Sequence, residues 1–437
     1  MLRRRAFLSL ALAGRGLRLA TFSADVTPPL GSPLCYGLVV PGAEVVDKLE
    51  ARGVVLHPAG EKPIVLCAVD WLGIGSASRD RWRSALAAAA RTTPDRVALH
   101  TVHQHDAPGD DESALALLPA AVPLFDHAFA RLATRRVADA VKRARPQTVS
   151  RISAGAAEVE SVASNRRILD ANGKVAFGRM TSCRNSPHCD APVGVIDPLL
   201  RSLTFWGDAG RLATLSYYAT HPMSYYGKGA ISADFIGLAR RRQSDTFQVH
   251  FTGAAGNIGA GKFNDGSPAM RPVLADRIAS AMTRAKAAEK TIPLDAVRWL
   301  SAPVALPLRE GRGFAEDEMA AAVANASLDP RQRANNARYL AYYRLMKAGR
   351  RIDLSALRIG PFSIVHMPGE LFVEYQLAAA AERPAELVAT AAYGDYGPMY
   401  IGTRRAYDEG GYETSAVSRV APAVEDVLLS AVRTLLA

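Results

Sequence analysis

Short runs of β-branched and other apolar residues alternate along the chain with stretches whose apolar positions recur every three or four residues. The first pattern suits strands and the second amphipathic helices. "RGVVLHPAGEKPIVLCAVDWLGI" reads as two strands around a turn, and "SRDRWRSALAAAARTT" as a helix after them. "DRVALHTVHQH" reads as a strand ending in histidines, followed by the helix "DHAFARLATRRVADAVKRAR". "ATLSYYATHPMSYYG" and "TFQVHFTGAAGN" are strands running into polar loops. "LRIGPFSIVHMPGELFVEYQLAAAAE" is a hairpin-like pair leading into a helix, and "AELVATAAYGDYG" is a further strand. Strands alternating with helices predict an α/β fold with a mixed, partly parallel sheet flanked by helices. Residues 20–437 read as one domain. The charged segment from Gly313 to Gly349 is expected to be a helical surface excursion, and no internal repeat is visible.

Composition adds limits. At 437 residues, 49% hydrophobic, the chain can bury a large core. No segment has the roughly 18 uninterrupted apolar residues of a membrane span, so stable membrane insertion is not expected. The net charge of +11 comes mostly from arginines scattered over solvated helix faces, and no nucleic-acid motif accompanies it. The N-terminus, "MLRRRAFLSLALAG", has the basic start and apolar run of a twin-arginine-like export signal over residues 1–19. A periplasmic or secreted location is the expectation, with a cytoplasmic one open. Cys183 and Cys189 would close a loop disulfide in an exported protein; a zinc knuckle with His188 is the other reading.

The polar residues of interest gather where predicted strands stop, which in open α/β sheets is the ligand-binding edge. His103 and His105 are two apart, so on an extended strand they would face the same way and could share a metal. Asp106 could orient one ring. His100 lies on the other register. His221 precedes a proline, Asp234 stands near a helix start, and Glu370 follows Pro-Gly at another. For both acids, helix capping is the competing explanation. "GNIGAGK", Gly256 to Lys262, has phosphate-loop spacing, but Phe263 stands where a magnesium-binding hydroxyl is required. A nucleotide site using Lys262 is therefore the weakest of the readings. No H-E-x-x-H or G-x-S-x-G motif is present.

In order along the chain, "ADVTPPLG", "VHQHDAPG", "ATHPMS", "PGELFVEY" and "YIGT" resemble motifs of the neutral (non-lysosomal) ceramidases, in particular short bacterial members carrying only the catalytic domain. The resemblance implies a zinc-dependent amide hydrolase using metal-activated water. The zinc ligands would be His103, His221, Glu370 and Tyr400, with Tyr393 and Tyr396 leaving the tyrosine register open. His105 would be the general acid or oxyanion stabiliser, supported by Asp106 or Asp234. Gly256, Asn257, Gly259, Asp395 and Tyr396 would meet a small amide or lipid-like substrate. The family's loop Gly-Asp-Val-Ser-Pro-Asn aligns with Gly256–Gly261, so its serine falls on Gly259. That departure keeps a second reading open, a metal-dependent binding protein with altered catalysis.

Overall fold

The computed structural model describes residues 16–184, 186–294 and 297–437. Most of the expected export segment, residues 1–15, lies outside the described residues, and the first strand begins at Arg18.

Three stretches of chain repeat one order of elements. The first runs β1 (Arg18–Asp25), β2 (Glu50–His57), β3 (Ile64–Val69), α1 (Ser76–Ala90), β4 (Val97–Thr101) and α2 (His127–Arg143). The second runs β5 (Arg151–Glu158), β6 (Leu199–Gly207), β7 (Gly210–Tyr218), α3 (Asp234–Arg241), β8 (Gln248–Thr252) and α4 (Met270–Ala287). The third begins with β9 (Val297–Val304) and inserts two helices, α5 (Glu316–Ala324) and α6 (Pro330–Lys347). It resumes with β10 (Ile352–Ile359), β11 (Phe362–His366), α7 (Val373–Ala381), β12 (Leu387–Ala391) and α8 (Val424–Leu436).

Each stretch forms its own mixed sheet. The orders are β4-β3-β2-β1, β8-β7-β6-β5 and β12-β11-β10-β9, the first two extended by the short edge segments Gln147–Thr148 and Lys290–Ile292. Neighbouring strands are antiparallel except for the last pair, where β3/β4, β7/β8 and β11/β12 run parallel. A parallel pair needs a long crossover, which α1, α3 and α7 supply. All six residues of β3, IVLCAV, are buried, as expected for a strand covered on both faces. Helix α2 is capped by Asp126, which accepts from the Phe129 N–H, and buries Phe129, Ala133, Val137 and Ala140 at helical spacing.

The three parallel edge strands meet at their C-terminal ends. Thr252 Oγ1 donates to the Val102 carbonyl at 2.8 Å, the Ala392 N–H to Thr252 at 3.0 Å, and the Thr101 N–H to Tyr393 at 3.3 Å. Every loop expected to carry chemistry leaves the sheets there. The segment 313–349 is helical, but α6 buries Ala334, Ala337, Arg338, Leu340 and Tyr342. It packs into the fold, with the Arg338 guanidinium 3.8 Å from the Tyr36 ring centre, instead of standing off it.

Two histidines outside the strand-end loops' site make stability pH-dependent. Burial holds His100 and His250 down at about 3, so both rings stay neutral in the folded protein. The unfolded chain protonates them below pH about 6.5. Stability is therefore expected to fall as pH drops from about 6.5 towards 3, by up to about 1.4 kcal/mol per pH unit for each ring. Urea unfolding at pH 7 and pH 5 checks this; equal midpoints would contradict it.

Candidate metal centre

Beyond β4 the backbone turns sharply, and His103 takes φ 74, a left-handed conformation that a non-glycine residue rarely adopts. Its N–H donates to the Trp71 carbonyl at 2.9 Å and its Nδ1 lies 2.7 Å from the Leu72 carbonyl oxygen. The histidine pair thus converges through a strained turn after the strand, and not through strand alternation. His105 Nδ1 is 3.1 Å from the His103 carbonyl oxygen. His221 follows β7, with Nδ1 2.6 Å from the Ala255 carbonyl oxygen and 3.0 Å from that of Ile258. Carbonyl oxygens only accept, so each ring carries a proton on Nδ1 and turns Nε2 inward. One ligand atom from each of His103, His105 and His221 lies within 4.8 Å of the others.

Glu370 completes the cluster. Gly369 (φ 61) lets the chain pass the Met399 carbonyl, which a Cβ at that position would approach to 2.5 Å. Glu370–Leu371 then pairs in parallel with Tyr400–Ile401. Glu370 Oε2 is 3.2 Å from His103 Nε2 and 3.1 Å from His221 Nε2, while Oε1 accepts from the Tyr396 hydroxyl at 2.7 Å. Burial pushes the carboxyl up, but the two adjacent imidazoles more than offset it and hold it well below the usual range. Burial and the Arg166 charge hold His221 down at about 4, and burial keeps His105 well below its ordinary value. The Nε2 atoms of His103 and His221 thus converge on one Glu370 oxygen, and His103 Nε2 has no hydrogen-bond partner among the described residues. Imidazole nitrogens and a carboxylate brought this close need a cation between them, either a proton or a metal ion. Tetrahedral ligands at 2.0–2.2 Å from zinc stand about 3.3–3.6 Å apart, close to the two Glu370–histidine distances. The residues fit a metal ion, with each ring already oriented by a carbonyl.

The three tyrosines separate. Tyr393 stacks on the His103 ring, centroids 4.4 Å apart, and Tyr396 anchors Glu370. The Tyr400 hydroxyl accepts from Arg166 Nη1 at 3.3 Å. That guanidinium nitrogen also lies 3.3 Å from His221 Nε2 and donates to the Gly256 carbonyl at 3.3 Å. Arg166 is buried, and Glu413 stands beside it, Oε1 3.4 Å from Nε. Sequence reasoning missed it: "SNRRI" carries no spacing that separates a buried arginine from the many exposed ones. Half-exposed Tyr226 and Tyr412 flank the site, packing edge-on against His105 at 5.0 Å and Tyr400 at 5.6 Å.

The other expected site residues build walls. Asp106 accepts from the Gly227 N–H at 2.8 Å, and Asp234 accepts from the Ser224 N–H and hydroxyl. Arg271 stands between the two acids, 3.8 Å from Asp106 and 3.3 Å from Asp234. They hold the 224–227 loop and make no hydrogen bond to an imidazole. Asn257 accepts from the Val373 N–H at 2.9 Å and donates to Glu374, pinning the start of α7. Asp395 is fully buried, accepting from Ser76 and Gly397 N–H groups and pairing with Arg350 at 2.8 Å. Lys262 donates to the Asp190 and Ala191 carbonyls, closing the loop bridged by the Cys183–Cys189 disulfide; this is a structural use, unlike a phosphate contact. His188 stacks on Phe177 at 4.7 Å.

Gly256 is the most constrained wall residue. A Cβ there would sit 2.2 Å from the Glu370 carbonyl oxygen. Gly256→Ala is expected to displace Glu370 and cost about a hundredfold or more in any activity of the site, with weakened metal retention. Metal content and kcat/KM measured together check this; unchanged values would show that the loop yields freely.

Two solved structures share this fold along 97% of the chain. A neutral ceramidase from Pseudomonas aeruginosa aligns with a TM-score of 0.71 at 18% identity, over 74% of its own length. A ceramidase complexed with C2 aligns with a TM-score of 0.73 at 17% identity, over 75% of its own length. No protein-family model matches the chain, and a search of curated proteins finds no match. At such identities the likeness is one of fold.

Proposed function

We infer that this chain, built on the fold of the neutral ceramidases, is a zinc-dependent hydrolase of an N-acyl amide or related bond. One observation carries the reading: the inward-facing Nε2 atoms of His103 and His221 converge on one Glu370 oxygen, with His105 close by. The ligands in this reading are His103, His221 and Glu370, with Tyr400 completing the set or standing beside it. Zinc held there would polarise a carbonyl and lower the pKa of water.

The protein's own groups divide the remaining work. Arg166 Nη1 and the Tyr400 hydroxyl lie together beside His221, placed to hold a carbonyl oxygen as negative charge develops on it. His105 has its Nδ1 committed to a carbonyl and its Nε2 at the more open side, so it is placed to take a proton from the attacking water and pass it to the leaving nitrogen. Tyr396 fixes the second Glu370 oxygen. The Asp106–Arg271–Asp234 group positions the loop that carries Tyr226, and Tyr226 and Tyr412 offer aromatic surface to an acyl or ring-bearing substrate.

The loop Gly253–Gly261 contains no hydroxyl side chain. A Cβ at Gly259 would already lie 3.2 Å from the Met180 carbonyl oxygen, so the backbone closes over the position where the resembling enzymes keep a serine. Water is therefore the nucleophile available to this site. The same feature favours the second reading, a metal-dependent binding protein. A panel of N-acyl amides, esters and lactones, assayed with zinc-loaded protein, separates the two. Turnover of an amide that is lost on His105→Gln supports the hydrolase; zinc-loaded protein inert to the whole panel favours binding.

A further inference from the structure

A cavity of about 380 Å³, within the range of small-molecule sites, shares its walls with the metal centre. Neighbouring residues divide between the two spaces. Arg166 reaches His221 while Arg167 lines the cavity. Gly256 gives its carbonyl to Arg166 while Asn257 lines the cavity. Glu370 joins the histidines while Glu374, four residues further on, lines the cavity.

The cavity's charges are unequally satisfied. Glu409 is clamped by Arg167 at 3.2 Å and Arg405 at 2.8 Å. Glu374 accepts from Asn257 Nδ2, at 2.9 and 3.2 Å, and makes no ion pair among the described residues, Arg167 acting on it from further away. A largely buried carboxylate with one neutral donor is left short of partners. Leu169, Val195 and Phe372 supply apolar surface beside it. One carboxylate and an amide make a poor cage for a metal ion, whose preferred sites gather several oxygens. The two arginines are engaged by Glu409, which disfavours an anionic ligand.

We propose that this cavity binds a small primary amine, its ammonium group on Glu374 and its short apolar body against Leu169, Val195 and Phe372. Occupancy would be felt at the metal centre through Asn257, whose side chain pins α7 and whose carbonyl accepts from the Arg166 N–H at 2.8 Å. The site does not depend on the hydrolase reading.

The test is thermal unfolding of the full chain titrated with hexylammonium chloride, with 1-hexanol and sodium chloride as controls. The expected result is a saturable rise in Tm with the amine alone. Glu374→Gln, which preserves the Asn257 contact, should weaken that response at least tenfold. Val195→Trp, at the exposed rim, should abolish it while leaving metal content and basal Tm unchanged. A rise matched by hexanol, a rise that survives both substitutions, or no saturable rise would each overturn the proposal.

Discussion

His221→Ala is expected to lose bound metal, falling below about a tenth of an ion per chain, and to lower hydrolysis by at least about 10³-fold. The ring does three things at once. It aims one nitrogen at the cluster, ties the Ala255 and Ile258 carbonyls together through the other, and faces Glu370 at 3.1 Å. Removing it leaves Glu370 facing a cavity with one fewer nitrogen, and removes the metal chemistry that supplies several kcal/mol of transition-state stabilisation. His221→Ala protein that keeps a full equivalent of metal and its activity would show that the ligands lie elsewhere.

Arg166→Met is expected to act differently. Metal content should hold while kcat falls about 10²- to 10³-fold, the usual effect of removing one donor to a developing oxyanion. KM should move less, because the interaction strengthens as charge develops. Breaking a buried ion pair commonly costs about 3–5 kcal/mol by stranding the partner charge. Here Arg167 Nη1 still donates to Glu413 at 3.1 Å, so the carboxylate stays paired and the protein should fold. Separate kcat and KM measurements with metal analysis decide it: a rise in KM alone, or loss of metal, would assign Arg166 to ground-state binding or to holding the cluster.

The parts of the site that could be read from sequence were those with a local signal. Alternating strands and helices, and histidines or Pro-Gly-Glu at strand ends, placed His103, His105, His221 and Glu370 on one edge before any geometry was known. The convergence itself was not local. His103 faces His221 because of a left-handed turn beyond β4, and no residue preference marks that position. Arg166 becomes visible only when Tyr400, Gly256 and Glu413, distant in sequence, surround it. The family resemblance assigns Asn257 and Asp395 to the substrate; in the structure they bind backbone N–H groups, Glu374 and Arg350, which only the fold brings near. The threefold repetition of elements was hidden for a similar reason. Each sheet needs only apolar strands of suitable length, which many unrelated sequences supply, and the α5–α6 insertion breaks the spacing of the third unit. The charges of α6 suggested solvent, but its alanines and two of its three tyrosines are buried.

His103, His221 and Glu370 are expected to hold a catalytic metal. Anomalous diffraction at the zinc edge, from crystals of protein expressed with zinc, tests it most directly. One peak per chain is expected, about 2.0–2.2 Å from His103 Nε2, His221 Nε2 and a Glu370 oxygen. No peak at that position in protein grown with ample zinc, or a peak bound by other residues, would contradict it.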